Sequence, residues 1–309
     1  MVEQNKISVV VPVYMGANTI AELSTRAIRI IENIHYTPEI VLVNDASPDN
    51  SWEVIEALNK ENPSKIRGIN FSRNFGQHYA ISAGIAAAKG DWVVVMDCDL
   101  QDVPEEIEKL LHKAKEGFDV VLAKREKRKD SFFKRFLSKF FYRILNYLSG
   151  ASYDAAVANF GIYHRSVVDT IIALPEKNRF FPSMVKWVGF KQIAIIVQHA
   201  KRDEGSSSYS FKKLLNLSLD IILSYSDKPL RLAIKLGLLI TFFALVFSLY
   251  QIYQWYHGDI EVLGYTSLIL SIWFFSGIII SFIGVVGLYI GKIFENVKDR
   301  PTYIIKEEI

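Results

Sequence analysis

At 309 residues the chain is long enough for one large domain or two smaller ones, and a net charge of +3 gives it no bulk electrostatic bias toward nucleic acid. Hydrophobic residues make up 50% of it and the mean hydropathy is +0.17, high for a soluble enzyme, with the excess near the C-terminus. The one cysteine, Cys98, excludes an intrachain disulfide, fits a reducing compartment, and reads as a small buried filler rather than a redox group.

The opening residues 1–6 lack the long apolar stretch of a signal peptide, so the soluble part is expected on the cytoplasmic side. Residues 7–13 are an apolar run broken at Pro12 and predict a buried strand. Residues 17–33 carry Ile20, Leu23, Ala27, Ile28 and Ile31 at helical spacing, with Asn18 or Thr19 as the cap. A second strand, 39–43, runs into Asn44-Asp45-Ala46-Ser47-Pro48-Asp49-Asn50-Ser51, rich in turn formers and caps, and a helix follows over 52–59. A third strand, 66–71, leads through Ser72-Arg73-Asn74-Phe75-Gly76-Gln77 to a small-residue helix over 79–89. After the fourth strand, 92–96, Pro104 opens a helix over 105–116, and residues 119–123 are a fifth strand. Alternating strands and helices predict a mostly parallel sheet with helices on both faces.

The fourth strand ends in Met96-Asp97-Cys98-Asp99-Leu100-Gln101-Asp102. Acids directly after a buried apolar run sit at the carboxyl end of a strand, where open α/β sheets bind ligands. Strand alternation is expected to turn Asp97 and Asp99 to the same side, within reach of one cation. Oxygen-only ligands suit Mg²⁺ or Mn²⁺ held together with a substrate diphosphate.

Between residues 124 and 143 there are nine lysines and arginines against Glu126 and Asp130, interleaved with Phe132, Phe133, Phe136, Phe140, Phe141 and Tyr142. This pattern predicts a basic amphipathic helix on a membrane surface, favoured over nucleic-acid binding because a membrane anchor follows, with a surface helix packed on the sheet by its aromatics as the plainer alternative. A second amphipathic stretch covers 211–226. Residues 236–253 and 262–291 contain no formally charged side chain, and each stretch is long enough to cross a hydrocarbon core of ~30 Å. Lys228, Arg231 and Lys235 precede the first span, Lys292, Lys298 and Arg300 follow the second, and Asp259 and Glu261 lie between. The basic flanks predict two crossings with both termini in the cytoplasm.

The motifs Val11-Pro12-Val13-Tyr14, Asn44-Asp45-Ala46-Ser47-Pro48-Asp49, Ser72-Arg73-Asn74-Phe75-Gly76 and Asp97-Cys98-Asp99-Leu100-Gln101 occur in that order. In this the chain resembles the family 2 inverting glycosyltransferases, and most of all the branch that charges polyprenyl phosphates, such as dolichyl-phosphate mannose synthase and bacterial undecaprenyl-phosphate glucosyltransferases. The resemblance implies an α/β GT-A nucleotide-sugar-binding domain with a mostly parallel sheet, amphipathic interface helices and two C-terminal transmembrane helices. The domains expected are a cytoplasmic catalytic part over 1–210, an interface helix over 211–231 and a membrane anchor with cytoplasmic tail over 232–309.

The same resemblance implies roles. Pro12, Tyr14, Asp45, Arg73 and Asp97 would contact the nucleotide sugar, although Asp45 could equally be a turn or helix cap and Arg73 a surface ion pair. Asp97, Asp99 and Gln101 would hold Mg²⁺ or Mn²⁺. Arg125, with Lys134, Arg135, Ser138 and Arg202, would bind the acceptor phosphate, a task suited to the planar fork of arginine. Asp99, Asn159 and Arg125 make up the catalytic set. The partners implied are a nucleotide-sugar donor, a polyprenyl-phosphate acceptor and the bilayer, with a homo-oligomer left open. The enzyme would sit in the plasma (inner) membrane.

Two departures stand out. Related bacterial enzymes often have Gly-Asp-Phe-Arg where this chain has Ala158-Asn159-Phe160-Gly161, and the family's Arg-x-x-Gly-x-Ser-Lys appears here with Ser208 in place of lysine. These bear on sugar identity and acceptor detail and motivate one rival reading, a non-catalytic membrane scaffold, against which the intact Asp97 and Asp99 argue; a second rival keeps the fold and transfers to a polysaccharide or lipid-linked oligosaccharide. His78, His164 and His199 form no metal spacing and read as surface or supporting residues.

Overall fold

The computed structural model describes residues 5–125, 143, 146–148, 157–200, 222–223, 226–257 and 264–309. Two compact units emerge, one of residues 1–142, 151–208 and 300–309, the other of residues 143–150 and 209–299.

The first unit is built on one sheet. Its strands are β1 (Lys6–Val13), β2 (Thr37–Asn44), β3 (Ile66–Phe71), β4 (Trp92–Val95), β5 (Val120–Arg125), β6 (Val157–His164), β7 (Gln192–Val197) and β8 (Ile305–Glu308), in the spatial order β7-β5-β6-β4-β1-β2-β3-β8. β1 pairs in parallel with β2 and β4, β2 with β3, and β5 with β7, while β6 runs antiparallel between β4 and β5.

Helices cover both faces, so the central strands are apolar on both sides. Alternation sends Val9, Val11, Ile40 and Leu42 into one core, against α1 (Ile20–Asn33), α2 (Ser51–Glu61) and α4 (Glu106–Ala114). Val10, Val41 and Val43 enter the other, against α3 (Gln77–Ala87), α5 (Arg165–Ile172) and α6 (Phe181–Trp187). The small residues of α3 have a packing reason. A Cβ on Gly84 would lie 2.2 Å from Val10 Cγ1, so this helix reaches the sheet only as glycine allows.

The sequence located the first five strands to within a few residues. It missed β6, whose Asn159 and Gly161 interrupt an apolar pattern, and β7. It also missed β8, Ile305-Lys306-Glu307-Glu308, whose charged, exposed residues read as a tail but form an edge strand antiparallel to β3. Residues 300–309, expected to be the tail of the anchor, therefore belong to the sheet unit.

In the second unit α7 (Lys228–Tyr256) and α8 (Tyr265–Val297) are both long and apolar enough to cross a membrane. α7 outruns its uncharged stretch at both ends, and α8 continues past the end of its own. Lys228 Nζ donates to the carbonyl of Tyr147 at 2.8 Å, and Tyr289 Oη to that of Ser226 at 2.8 Å. The basic helix expected near 124–143 and the amphipathic stretch over 211–226 lie almost wholly outside the described residues.

Candidate active site

The strand order sets where a site can form. Chain connections diverge from β1, toward β2 on one side and toward β4 on the other, and the crevice at such a switch point is the usual ligand site of an open sheet. β1 outruns β4 there. The β4 ladder ends at Val10–Val95, and β1 continues to Val13 beside β2 alone. Val10 accepts the amide of Met96, so Pro12, two residues on, faces the same side after β4 has left the sheet. A residue without an N–H is tolerated where no ladder bond is due.

Three loops close on this edge, and each contains one non-glycine residue in the left-handed region: Met15 (φ 56), Ala46 (φ 49) and Leu100 (φ 57). Such conformations cost of order 1–3 kcal/mol each and persist only where the surroundings impose them. Here polar side chains impose them. Ser47 Oγ accepts the Met15 amide at 3.1 Å, Ser51 Oγ that of Gly16 at 3.1 Å, and Asp49 Oδ2 that of Ala17 at 3.3 Å. Thr19 caps nothing with its side chain. Its hydroxyl instead donates to the carbonyl of Cys98 at 2.5 Å, tying the start of α1 to the Asp97–Asp99 turn.

Asp45 is 3% exposed and serves the third loop. Its two oxygens accept the amides of Phe75 and Gly76 at 2.7 and 2.9 Å. Burial outweighs these bonds and the nearby Arg73, leaving the carboxyl above its ordinary range. Arg73 itself is exposed, with its guanidinium carbon 4.0 Å from the centre of the Phe75 ring. Tyr14 is exposed at the crevice mouth, at 49%.

The two acids after β4 do not lie on a strand. β4 stops at Val95, and Asp97 and Asp99 occupy the turn beyond it, so strand alternation does not decide their direction as the sequence implied. Separate partners hold them. Gln77 Nε2, in the first turn of α3, donates to Asp97 Oδ1 at 2.6 Å, and Asp99 Oδ1 accepts the amide of Gln101 at 3.1 Å. Asp102, 2% exposed, supports the turn from below. One of its oxygens accepts the Asp97 amide at 3.2 Å and the other lies 3.7 Å from His199 Nδ1.

Among the described residues no group of three or more His, Cys, Asp or Glu side chains could hold a metal on protein ligands alone. Asp97 and Asp99, with Gln101 beside them, offer only oxygen donors. That chemistry fits a hard cation completing its shell from a diphosphate and water. Cys98 lies between the acids, and burial pushes its thiol up to about 11, which keeps it protonated and inert.

β6 supplies the rest of the edge. It is antiparallel to β4 with Gly161 opposite Val95, the last pair of that ladder, so Asn159 lies on β6 beyond it, toward the edge where β4 ends. β5 runs the same way as β4 and ends at Arg125, paired with Val197. Pro12, Asp45, Arg73, Asp97, Asp99, Arg125 and Asn159 are thus collected at one end of one sheet. Gly161, where the resemblance expects an arginine, has no room for a side chain. A Cβ there would lie 2.9 Å from the Val121 carbonyl and 3.1 Å from the Tyr163 hydroxyl. Lys134, Arg135, Ser138, Arg202 and Ser208 lie outside the described residues.

Sequence reasoning gave no role to Gln77 or Asp102, and it left His199 as a surface or supporting residue without its partner. Gln77 could have been noticed, since it opens the helix directly after Ser72–Gly76. No local pattern pairs Asp102 with His199. His78, next to Gln77, is driven by burial down to about 4, so it is neutral at physiological pH, and it stacks edge-on against Phe180 at 4.6 Å.

The family model described as "Glycosyl transferase family 2" matches residues 8–172, the region that contributes every strand from β1 to β6. The chain belongs to glycosyl transferase family 2. This glycosyltransferase has the GT-A-like α/β fold, and its similarity to relatives extends well past the matched region. It is 39% identical over 301 residues to YkcC, an uncharacterised glycosyltransferase of Bacillus subtilis, covering 97% of this chain and 93% of that one. It is 38% identical to the SfII prophage-derived bactoprenol glucosyl transferase of Shigella flexneri, covering 98% of each. It is 34% identical to the undecaprenyl-phosphate 4-deoxy-4-formamido-L-arabinose transferase of Proteus mirabilis, covering 99% of this chain and 94% of that one.

Proposed function

We propose that this glycosyltransferase moves a sugar from a nucleotide-sugar donor, UDP- or GDP-linked, to a polyprenyl phosphate at the cytoplasmic face of the plasma (inner) membrane. The observation that carries the reading is the gathering of Asp45, Arg73, Asp97, Asp99, Arg125 and Asn159 at the carboxyl end of one sheet. The chain also matches relatives named for transfer to bactoprenol and undecaprenyl phosphate almost end to end. Two apolar helices, followed by a strand that rejoins the starting sheet, support two crossings with both flanks on one side.

In this reading the Pro12–Tyr14 and Asp45 loops hold the nucleoside, and Arg73 meets the donor diphosphate. Asp97 and Asp99, with Gln101, would hold Mg²⁺ or Mn²⁺, which would neutralise the departing diphosphate as a Lewis acid. An oxygen of the lipid phosphate attacks the anomeric carbon from the face opposite the diphosphate. The glycosidic C–O bond breaks, its electron pair leaves with the nucleoside diphosphate, and the configuration inverts. The attacking oxygen is already ionised near neutral pH, so placement and charge neutralisation carry the rate. Arg125 grips the acceptor phosphate. Asn159 orients sugar or acceptor through its amide oxygen, which explains why an amide can replace the acid of related enzymes.

The test is incubation of the detergent-solubilised full chain with a panel of UDP- and GDP-sugars, polyprenyl phosphate and Mg²⁺ or Mn²⁺. Nucleotide release matched by a lipid-phosphate sugar, abolished by excess chelator, is the expected result. Transfer only to a glycan acceptor, or no transfer with any donor, overturns the reading. Asn159→Asp should be tolerated and Asn159→Ala should cost more; a gain of several hundredfold in the Asp variant would instead make the carboxylate a missing catalytic group.

A further inference from the structure

The last residues of the chain do more than cover a sheet edge. β8 pairs with β3, Gly68 and Ile309 exchange both backbone hydrogen bonds at 3.0 and 2.9 Å, and the Ser72 amide donates to the Ile304 carbonyl at 3.0 Å. Arg67 Nη2 meets Glu308 Oε1 at 2.6 Å. A Cβ on Gly68 would lie 2.6 Å from Ile55 Cγ2 and 2.9 Å from Ile309 Cγ1, so the Ile309 side chain shares with Ile55 the space that glycine leaves. These contacts fix Tyr303 beside the end of β3.

There Tyr303 stacks on Phe71, with centroids 5.2 Å apart and ring planes 16° apart. Phe71 meets Phe75 edge-on at 5.6 Å, and the Arg73 guanidinium lies over the other ring at 4.0 Å. Phe75 and Gly76 hang from Asp45, and the next residue, Gln77, holds Asp97. An aromatic run thus extends from the C-terminal segment to the loop that carries Arg73 and leads to the Asp97 carboxylate.

We infer that Tyr303 is a positioning residue for the donor site, its ring bracing the loop 72–77 through Phe71 and Phe75 so that Arg73 and Gln77 are held ready for the donor diphosphate. This rests on the assignment of that loop to the donor under the proposed function. The stacking face carries the effect, not the hydroxyl: among the described residues no hydrogen bond from the phenol takes part in the run. An aromatic pair contributes about 0.5–1.5 kcal/mol beyond its buried area, which corresponds to roughly a two- to tenfold change in affinity.

The experiment uses the full-length protein with Tyr303→Ala, Tyr303→Phe, Tyr303→Leu and Arg73→Ala. Donor KM, acceptor KM, kcat and Tm are measured for each, along with binding of the free nucleoside diphosphate in the presence of Mg²⁺. Tyr303→Ala should raise donor KM and weaken nucleoside diphosphate binding by about two- to tenfold, with acceptor KM unchanged. Tyr303→Phe should restore both values. If Tyr303→Ala does not fold, Tyr303→Leu, which keeps apolar bulk and loses the flat face, carries the same expectation. Unchanged donor KM in a folded Ala or Leu variant, or donor and acceptor KM rising together, overturns the inference. If Arg73→Ala weakens donor binding while the Tyr303 variants do not, the C-terminal brace alone fails. If Arg73→Ala leaves donor binding intact, the assignment of the loop to the donor fails with it.

Discussion

The two ends of β2 carry buried carboxylates of opposite character. Glu39, at the amino edge of the sheet, is 3% exposed and surrounded by donors: Ser8 Oγ at 2.5 Å, the Lys89 amide at 2.7 Å and Lys6 Nζ at 3.4 Å. Burial alone would raise its pKa, but these donors outweigh it and hold the carboxyl below the usual range. The same edge is closed by Arg165, which donates to the carbonyls of Ala88 and Gly90, and by the Gly90 amide on Ser8 Oγ. Asp45, at the carboxyl edge, has two backbone amides, and burial leaves its pKa raised. Around it lie strained loops and the Asp97–Asp99 turn. One edge has satisfied its charges for stability. The other keeps buried charge and left-handed loop residues together, which under the proposed function is where the donor binds.

The contrast is broken most severely if the carboxyl edge proves merely structural. Asp99→Asn should lower turnover by about 100- to 1,000-fold, the scale of losing a preorganised charge at the reacting centre, while Tm stays at the wild-type value. A transfer assay and a thermal melt check both. Equal losses of Tm and of activity would place Asp99 among structural residues.

Glu39→Ala should do the reverse. It leaves the Ser8 hydroxyl and the Lys89 amide without an acceptor and costs about 3 kcal/mol of stability, with donor and acceptor KM unchanged in the folded fraction. For a domain of this size the melt should shift down by roughly ten degrees. A changed donor KM would show that the amino edge is coupled to the site.

Asp45→Asn should come next in size. An amide oxygen can serve one of the two backbone amides, not both, so the loop 72–77 loosens and donor KM rises about tenfold, the equivalent of ~1.4 kcal/mol. Tm should fall less than for Glu39→Ala, because removing the charge also removes its burial penalty.

The smallest effect is on pH dependence, and the two ends of β2 should differ in sign. Glu39 has a folded pKa below its unfolded value. Its contribution is complete above the unfolded pKa and is lost as pH falls through the folded one. Asp45 has a folded pKa above its unfolded value. Its charged form opposes folding at higher pH, and this penalty is relieved as pH falls through the folded pKa. Acid titration of stability should therefore be shallower in Glu39→Gln and steeper in Asp45→Asn than in the wild type. Parallel shifts in both variants would refute the difference.

The parts set by short-range patterns were legible in the chain alone. Short apolar runs located β1 to β5, helical spacing located α1, Pro104 announced α4, and two uncharged stretches announced α7 and α8. Asp97 and Asp99 were legible because they follow a buried run directly, and Asp45 and Arg73 through the motifs that resemble the family. The tertiary structure alone decided what those residues face. The insertion of β6 between β4 and β5 brings Asn159 to the edge where β4 ends, and the return of β8 to β3 sets Tyr303 against Phe71. Gln77 on Asp97 and Asp102 near His199 belong to the same class. These partners are far apart in the chain, and their meeting is fixed by strand order and register, which no local periodicity encodes.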